Sequence, residues 1–180
     1  MQIKNDFSGE PCTLLILGAG GLGQVVAEMA QMTGRYSMIA FLDDHPTPDK
    51  ELLFHIVGVT SEIEKFQSRF THAIPAFGDN QIRHDLRLQL EKYGFRIPRL
   101  IHQSAVISPS AQIGDGVIIR ENVVISRQAI VGKGCLINIG ALIDHECRIG
   151  DDAHIPMGAI VRNSVTIPDL ATYKPGILIQ

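Results

Sequence analysis

A period of six residues in the second half of the chain constrains the fold more than any other feature. Starting at Ile101, every sixth residue up to Ile179 is isoleucine or valine, with Tyr173 as the one exception. Four residues after each of these positions comes a small or modest apolar residue, from Ala105 to Ile177. A hexapeptide period predicts a parallel β-helix, in which each repeat buries its apolar residue against the next coil.

A second, longer period indicates the number of sides of this β-helix. Glycines follow the periodic residue at intervals of eighteen, at Gly114, Gly132 and Gly150, and Pro168 holds the next equivalent position. Three hexads therefore make one turn, and the coil is predicted to be a triangular prism. Because nothing interrupts the register, we expect residues 100–180 to form one domain without an inserted loop.

The residue just before each isoleucine or valine is expected to point outward, and these residues form three columns. One column is largely polar and two are largely apolar. Exposed apolar faces usually mark contacts between subunits, so a homotrimer is predicted in which each prism offers two faces to its neighbours. The alternative is a β-helix whose outward apolar residues are there only because such residues favour β-strands. The apolar columns are Leu100, Ile118, Leu136, His154 and Thr172, and Val106, Val124, Leu142, Ile160 and Leu178; the polar column is Gln112, Ile130, Arg148 and Thr166.

Residues 1–99 follow a different pattern, in which β-type runs alternate with helix-like stretches. The segments "TLLIL", "SMIAFLDD" and "HAIPAF" predict strands. One helix is predicted between the first two and ends near Gly34, and another has Asn80 as its N-cap and Gly94 as its stop. This alternation predicts a parallel sheet. The fold class is therefore α/β plus β-helix: a small Rossmann-like βαβ domain (residues 1–99) followed by a parallel β-helix (residues 100–180).

A glycine-rich loop joins the first predicted strand to the first helix. Gly18, Gly20 and Gly23 spell GxGxxG, which lets backbone N–H groups approach a phosphate at the helix N-terminus. Asp43 lies twenty residues later at a strand end, where it suits ribose hydroxyl groups or a base edge. The pattern alone indicates NAD, but residues 1–99 are too few for two nucleotide-binding halves, so a nucleotide-sugar is predicted instead. The alternative is that the glycines only make a tight strand–helix turn.

Two histidines in the repeats are candidates for catalysis. His154 interrupts an apolar outward column, and His145 lies at a corner of the prism between Asp144 and Glu146. A carboxylate on the far ring nitrogen fixes the tautomer of a histidine and raises its basicity, which suits a general base. The alternative is a pair of surface histidines at turns.

Composition and spacing exclude several other functions. The formal net charge of −3 and the pI near 6.1 do not suit nucleic acid or acidic membranes. The three cysteines lack metal-ligand spacing and are typical of a reduced, cytoplasmic protein. The residues 36 and 41 positions after His102 are Asn138 and Ile143, so the zinc ligands of some β-helix enzymes are not present and no metal is expected. The N-terminus is too polar for a signal peptide, and no apolar run reaches transmembrane length.

The segments "IHQSAVISPSAQIG", "NIGALIDHECRIGDDAHI" and "LILGAGGLGQVV…FLDD" resemble the bacterial sialic acid O-acetyltransferase and UDP-amino-sugar N-acetyltransferase family, over nearly the whole chain. The resemblance implies a left-handed β-helix trimer, an N-terminal nucleotide-sugar domain and acetyl-CoA as donor. It implies that His145 is the general base, that Glu146 orients it, and that the acetyl-CoA cleft between subunits is lined by Asn138, His154 and Asn163. The implied nucleotide-sugar contacts are Gly18, Gly20, Gly21, Asp43, Asp44, Asn80 and Arg83.

The chain departs from the family pattern in three places. Leu22 stands where the family often has histidine, Arg162 and Asn163 replace small residues above His145, and the chain ends at "TYKPGILIQ" where the family continues. The resemblance predicts acetyl transfer to a nucleotide-linked amino-sugar or sialic-acid-type sugar in surface-glycan synthesis. The alternative is a non-catalytic trimeric homologue that binds a nucleotide-sugar or a partner enzyme. Whether the acceptor is an amine or a hydroxyl group is left open.

Overall fold

The computed structural model describes residues 12–45 and 52–180, which form two compact units. The N-terminal unit ends at Pro98, and the C-terminal unit comprises Arg99–Gln180. None of the helices in the described residues has the length and apolar character that a membrane span requires.

The N-terminal unit is built on a four-stranded parallel sheet, as the alternation of strands and helices predicts. The strand order is β3-β2-β1-β4, so β1 is central and the order reverses beside it. At such a switch point the loops after neighbouring strands diverge and leave a crevice at the carboxyl edge. The elements are β1 (Cys12–Leu17), α1 (Gly21–Met32), β2 (Tyr36–Leu42), β3 (Ile56–Gly58), a 3₁₀ helix (Thr60–Phe66), β4 (His72–Pro75) and α2 (Asn80–Lys92).

Burial explains why the first strand reads as an unbroken apolar run. Leu14–Leu17 are all 0% exposed, which is typical of a parallel strand covered on both faces. Leu86 and Leu90 of α2 pack in one cluster with Leu15 and Leu17, and α1 buries its own apolar face. The strand β3 and the 3₁₀ helix after it were not predicted, because their short apolar runs carry no clear period.

The start of α2 differs from the sequence prediction by one residue. Asn80 was predicted as the N-cap, but it is the first helical residue, and Asp79 is the cap instead. The Asp79 carboxylate accepts a hydrogen bond of 2.9 Å from the backbone N–H of Ile82. Both residue types are good caps, so only the backbone geometry decides between adjacent positions. Gly94, with a φ of 73°, follows the helix as predicted.

The C-terminal unit is a parallel β-helix with three faces, as the hexapeptide period predicts. Its sheets have the orders β14-β11-β8-β5, β17-β15-β12-β9-β6 and β16-β13-β10-β7. Each periodic isoleucine or valine lies in a strand, whereas Tyr173 does not. Its neighbour Thr172 makes a single isolated bridge to His154. The strands are β5 (Leu100–Ile101), β6 (Val106–Ile107), β7 (Gln112–Ile113), β8 (Ile118–Ile119), β9 (Val124–Ile125), β10 (Ile130–Val131), β11 (Leu136–Ile137), β12 (Leu142–Ile143), β13 (Arg148–Ile149), β14 (His154–Ile155), β15 (Ile160–Val161), β16 (Thr166–Ile167) and β17 (Leu178–Ile179).

The corners of the prism depend on one backbone conformation that recurs every six residues. From Gly116 to Gly176, each corner has a residue with a positive φ between 56° and 72°. Six of these eleven residues are not glycine, Glu146 among them, so each costs conformational energy. Hydrogen bonds between coils offset that cost: the N–H of Glu146 donates to the carbonyl of Arg127 at 3.0 Å.

Close stacking of the coils accounts for the glycines that recur every eighteen residues. A Cβ on Gly114 would lie 2.7 Å from the carbonyl carbon of Gly132, and one on Gly132 would lie 2.4 Å from Asp151 Oδ1. A side chain at any of these glycines would therefore collide with the next coil.

The two apolar outward columns differ in exposure, contrary to the expectation that both would be open to neighbours. In the first column, Leu100, Ile118 and Leu136 are already buried within the single chain, at 2% exposure or less. The other column, Val106, Val124, Leu142, Ile160 and Leu178, is mostly exposed, with Val106 at 64%. We call this second set the exposed apolar column.

Gly23 tests the packing of α1 against the glycine loop. A Cβ on Gly23 would lie 2.0 Å from the carbonyl oxygen of Gly18, whereas one on Gly21 would meet open space. Gly23→Ala is therefore expected to lower stability by at least about 2 kcal/mol. The matched variant Gly21→Ala is expected to be neutral or to stabilise by up to about 1 kcal/mol through helix propensity. Urea unfolding followed by circular dichroism measures both, and equal midpoints for the two variants would contradict the packing argument.

Candidate active site

The turn after β12 presents His145 at a corner of the β-helix. The backbone carbonyl of His145 accepts a hydrogen bond of 3.0 Å from Ser164 N–H in the next coil, which fixes the turn. The ring nitrogen Nδ1 is buried and has no hydrogen-bond partner within the described residues, although 42% of the side chain is exposed. The accessible nitrogen of this ring is therefore Nε2, which can accept a proton from a bound molecule.

Carboxylates surround His145, but neither is bonded to its ring. The nearest oxygen, Glu146 Oε1, lies 3.9 Å from Nδ1, and the same oxygen lies 3.4 Å from Arg127 Nη1. Asp144 Oδ1 instead accepts from the backbone N–H of His145 at 2.7 Å, so it holds the turn and not the ring. The predicted carboxylate–histidine pair is thus close to contact, with Arg127 competing for the carboxylate.

An open pocket of about 490 Å³ lies beside His145, within the C-terminal unit. Apolar strand residues form much of it, and polar groups gather at the corner. This combination suits a ligand with an apolar arm and a polar end. The lining residues are Val106, Ile107, Ser108, Pro109, Val124, Ile125, Ser126, Arg127, Asp144 and His145.

Asn138 and His154 form a hydrogen-bonded pair at a different corner from His145. Asn138 follows β11, and its Nδ2 lies 3.2 Å from Nε2 of His154 on β14. His145 follows β12, so it belongs to the next face of the prism. Asn163 is exposed in the coil above His145, where Ser164 bonds to the histidine carbonyl.

Two arginines in this unit were missed by the sequence reasoning. Arg120 Nη1 donates to Asn138 Oδ1 at 3.3 Å, and Arg127 contacts Glu146. Arg120 lies eighteen residues before Asn138, and Arg127 lies eighteen residues before His145. Stepping back by one full turn from Asn138 and His145 would have found both. Among residues 12–45 and 52–180, no three or more His, Cys, Asp or Glu side chains group in a way that could hold a metal ion.

In the N-terminal unit, the carboxyl edge of the sheet brings the glycine loop and Asp43 together. Asp43 Oδ2 accepts a hydrogen bond of 2.6 Å from Ala19 N–H, and its Oδ1 accepts one of 2.8 Å from His45 N–H. The carboxylate therefore holds the glycine loop in place. The neighbouring Asp44 is bound to Thr60 through both the backbone N–H, at 2.8 Å, and the hydroxyl group.

The loop after β4 lies against the glycine loop at the same edge. A Cβ on Gly18 would come within 3.0 Å of the Phe77 ring, so the two loops are in contact. Arg83 is 0% exposed and donates to the carbonyl oxygen of Phe77 at 3.1 Å and to Asn80 Oδ1 at 3.0 Å. Arg83 thus supports the loop from below, while Gly20 and Gly21 are exposed at the start of α1. The roles of Phe77 and of Thr60 were not predicted.

Comparison with known proteins identifies the family. The model of the PglD N-terminal domain matches residues 13–90. The acetyltransferase domain of PglB from Neisseria gonorrhoeae FA1090 is 32% identical, with a TM-score of 0.82, over 93% of this chain and 91% of that one. The same domain in complex with acetyl coenzyme A gives 30% identity and a TM-score of 0.82, over 94% and 93%.

A related enzyme with a known acceptor is also similar. A mutant of GDP-perosamine N-acetyltransferase from Caulobacter crescentus, in complex with CoA and GDP-perosamine, is 28% identical, with a TM-score of 0.81, over 93% of this chain and 88% of that one. The fold and these likenesses define a left-handed β-helix acyltransferase with a Rossmann-like N-terminal unit. The chain belongs to the sugar acetyltransferase family of hexapeptide-repeat proteins.

The hydrogen bonds of Asp43 predict that this residue stabilises the protein without any ligand. Asp43→Ala leaves the N–H groups of Ala19 and His45 without their acceptor, so a loss of about 2–3 kcal/mol is expected. The control Glu28→Ala changes an exposed carboxylate on α1 and is expected to alter stability by less than about 0.5 kcal/mol. Both are measured by urea unfolding of the ligand-free protein. An unchanged midpoint for Asp43→Ala would mean that the carboxylate does not hold the loop.

Proposed function

We propose that the protein transfers the acetyl group of acetyl-CoA to a nucleotide-linked amino-sugar or sialic-acid-type sugar, in surface-glycan biosynthesis, with His145 as general base. The observation that carries this proposal is the accessible Nε2 of His145 beside a 490 Å³ pocket. Family membership supplies the reaction class, and two neighbours are described with acetyl coenzyme A or CoA bound.

The proposed reaction needs few catalytic groups from the protein, because a thioester is already activated toward attack. His145 Nε2 removes the proton of the acceptor amine or hydroxyl group as that group attacks the thioester carbonyl carbon. When the carbon–sulfur bond breaks, the imidazolium returns the proton to the leaving thiolate, so the ring ends neutral. Glu146, 3.9 Å from Nδ1, is the group that would orient the ring and stabilise its charged form.

A second set of residues is proposed to hold the acetyl-CoA. Nε2 of His154 is engaged by Asn138, so this histidine is unsuited to remove a proton through that nitrogen. We assign His154 and Asn138 to hydrogen bonding with acetyl-CoA, and Asn163 to the wall of the same cleft. This cleft is proposed to lie between two subunits of the trimer, where different corners of neighbouring prisms face each other. Side chains that donate hydrogen bonds help the reaction because they stabilise the negative charge that develops on the thioester carbonyl oxygen.

The N-terminal domain, residues 1–99, is proposed to bind the nucleotide-sugar, and residues 100–180 to carry out acyl transfer. Exposed backbone groups of Gly20 and Gly21 at the start of α1 suit a phosphate, and Gly18 shapes the loop. Asp43 and Asp44 are proposed to contact the nucleoside, in addition to the loops that they hold. Asn80 supplies a polar group, and the buried Arg83 acts by supporting the loop that presents it.

The exposed apolar column supports a homotrimer. Four of its five residues, Val106, Leu142, Ile160 and Leu178, are more than 40% exposed and follow one another along a single face. A contiguous apolar face on a β-helix is most simply covered by a copy of the same chain. A cytoplasmic location is also proposed, supported by the three cysteines, each of which is a buried thiol.

Ligand binding separates this proposal from a non-catalytic homologue, which the exposed Arg162 and Asn163 above His145 would favour. At a ligand concentration one hundred times its Kd, thermal unfolding should show roughly 2.7 kcal/mol of stabilisation. Stabilisation by both acetyl-CoA and a UDP-, GDP- or CMP-sugar supports the acetyltransferase. Stabilisation by a nucleotide-sugar alone supports the binding module.

Replacement of His145 tests the general base. His145→Ala is expected to lower kcat by roughly 10²–10⁴-fold, because general-base catalysis contributes about that factor. Binding of acetyl-CoA, measured by calorimetry, is expected to stay within a few-fold of the original. The control His55→Ala changes an exposed histidine of the N-terminal unit and should leave kcat unchanged. Retained turnover in His145→Ala would rule out the base assignment.

A charge in the exposed apolar column tests the assembly. Leu142→Glu is expected to convert the trimer to monomers, because a carboxylate would be buried in an apolar interface. The matched control Thr166→Glu places the same charge on the polar face and should leave the mass unchanged. Sedimentation velocity measures both. A Leu142→Glu protein with the mass of the unmodified protein would contradict the proposed interface.

A further inference from the structure

A chain of hydrogen bonds leads from an ion pair to His154 along one corner of the β-helix. Arg120 and Asn138 stand at equivalent positions of successive coils, and the N–H of Arg120 donates to the carbonyl of Ile137 at 2.9 Å. The Arg120 side chain is only 15% exposed and reaches up to Asn138. The proposed transfer chemistry gives no role to the contacts of Arg120.

Glu121 holds the Arg120 guanidinium in a two-point contact. Arg120 Nε lies 3.0 Å from Glu121 Oε2, and Nη2 lies 3.4 Å from Oε1. Burial alone would raise the pKa of the Glu121 carboxyl, but its own backbone N–H and the Arg120 guanidinium outweigh burial and hold that pKa below its usual range. Glu121 is therefore a carboxylate at neutral pH, and the guanidinium has a fixed orientation. Its remaining nitrogen, Nη1, donates to Asn138 Oδ1.

Two donors then determine which way the Asn138 amide points. Oδ1 accepts from Arg120 Nη1 at 3.3 Å and from Ile139 N–H at 2.9 Å. The reversed amide would direct its NH₂ group at both donors, which is unfavourable. The NH₂ group therefore faces His154 Nε2, 3.2 Å away.

The amide orientation determines the state of His154. An NH₂ group has no lone pair to offer, so Nε2 of His154 must accept the hydrogen bond. In a neutral imidazole, one nitrogen accepts and the other carries the proton, so the proton is on Nδ1. We propose that Arg120 is a positioning residue that selects the Nδ1–H tautomer of His154 through the amide of Asn138.

The consequence for catalysis rests on the proposed function. With Nε2 occupied, His154 acts as a hydrogen-bond donor through Nδ1, whereas His145 has an accessible Nε2 and acts as the base. The two histidines are thereby kept in different roles by their surroundings. Loss of Arg120 would leave Ile139 N–H as the one remaining donor to Asn138 Oδ1, so the amide would turn in part of the molecules and the two tautomers of His154 would mix.

The tautomer is measured directly by two-bond ¹H–¹⁵N correlation spectra of protein labelled with ¹⁵N-histidine, with His154→Gln used to assign the signal. The unmodified protein should show an unprotonated Nε2 and a protonated Nδ1. Arg120→Met, which keeps the length of the stem but removes the donors, should shift the Nε2 signal toward the protonated form. Arg120→Lys, which keeps one donor and the charge, should restore the original signal. An unchanged signal in Arg120→Met, or a failure of lysine to restore it, would overturn the proposal.

Kinetics provide a second readout. Arg120→Met is expected to lower kcat/KM for acetyl-CoA by roughly tenfold, the effect of losing one charge-assisted hydrogen bond, and Arg120→Lys should recover most of it. The spectra need no substrate. If the unmodified protein transferred no acetyl group, the proposed function would be refuted, but the spectra would still test the role of Arg120.

A variant at Asn138 covers the case in which Arg120→Met does not fold. Asn138→Asp preserves the side-chain shape and adds an ion pair with Arg120, but its oxygens can only accept hydrogen bonds. Nε2 of His154 should then carry a proton. A His154 signal that keeps an unprotonated Nε2 in Asn138→Asp would also overturn the proposal.

Discussion

The stacking of one coil on the next is the interaction on which the C-terminal unit depends. From Gly116 to Gly176 each corner contains a residue with positive φ, and hydrogen bonds between successive coils hold these residues in place; that of Glu146 to Arg127, at 3.0 Å, is one example. The same stacking requires glycine at Gly114, Gly132 and Gly150, where a Cβ would collide with the coil above. Because each coil is bound to its neighbours in this way, a side chain at a corner has a fixed position and direction. The candidate catalytic residues are corner residues, so the regularity of the fold is what makes the site rigid.

Two histidines nine residues apart lie in different surroundings, since His145 is at a corner and His154 is on β14. His145 has a buried Nδ1 near a carboxylate and an accessible Nε2, which is the arrangement of a base. Nε2 of His154 receives a hydrogen bond from Asn138, whose amide is oriented by Arg120 and the backbone. The intrinsic properties of the two side chains are the same. In the proposed mechanism, their hydrogen-bond partners make His145 the proton acceptor and His154 the hydrogen-bond donor.

The N-terminal unit uses its carboxylates for structure as well as for any ligand. Asp43 binds the backbone of the glycine loop, and Asp44 binds Thr60. A nucleotide-binding loop must keep its N–H groups pointing at a phosphate, and a carboxylate that bonds to the loop helps to do so. The fully buried Arg83 does the same for the loop after β4. The sequence predicts these residues as ligand contacts and gives no sign of their bonds to the loops, because residue type and spacing cannot distinguish a group that touches a ligand from one that supports a loop.

The sequence by itself determined the periodic part of the protein. The hexapeptide period specified a three-sided parallel β-helix, because burial repeats with the geometry of the coil, and the alternation before residue 100 specified a parallel sheet. The tertiary structure alone decided local features: which residue caps a helix, which side chains are buried and which groups form hydrogen bonds. The cap of α2 is Asp79 and not Asn80, three residues of one apolar column (Leu100, Ile118 and Leu136) are buried, and Arg120 lies beside Asn138. These features depend on distances between atoms far apart in the chain, and a hydrogen bond changes its partner over about 1 Å, which is finer than any pattern of residue types can specify.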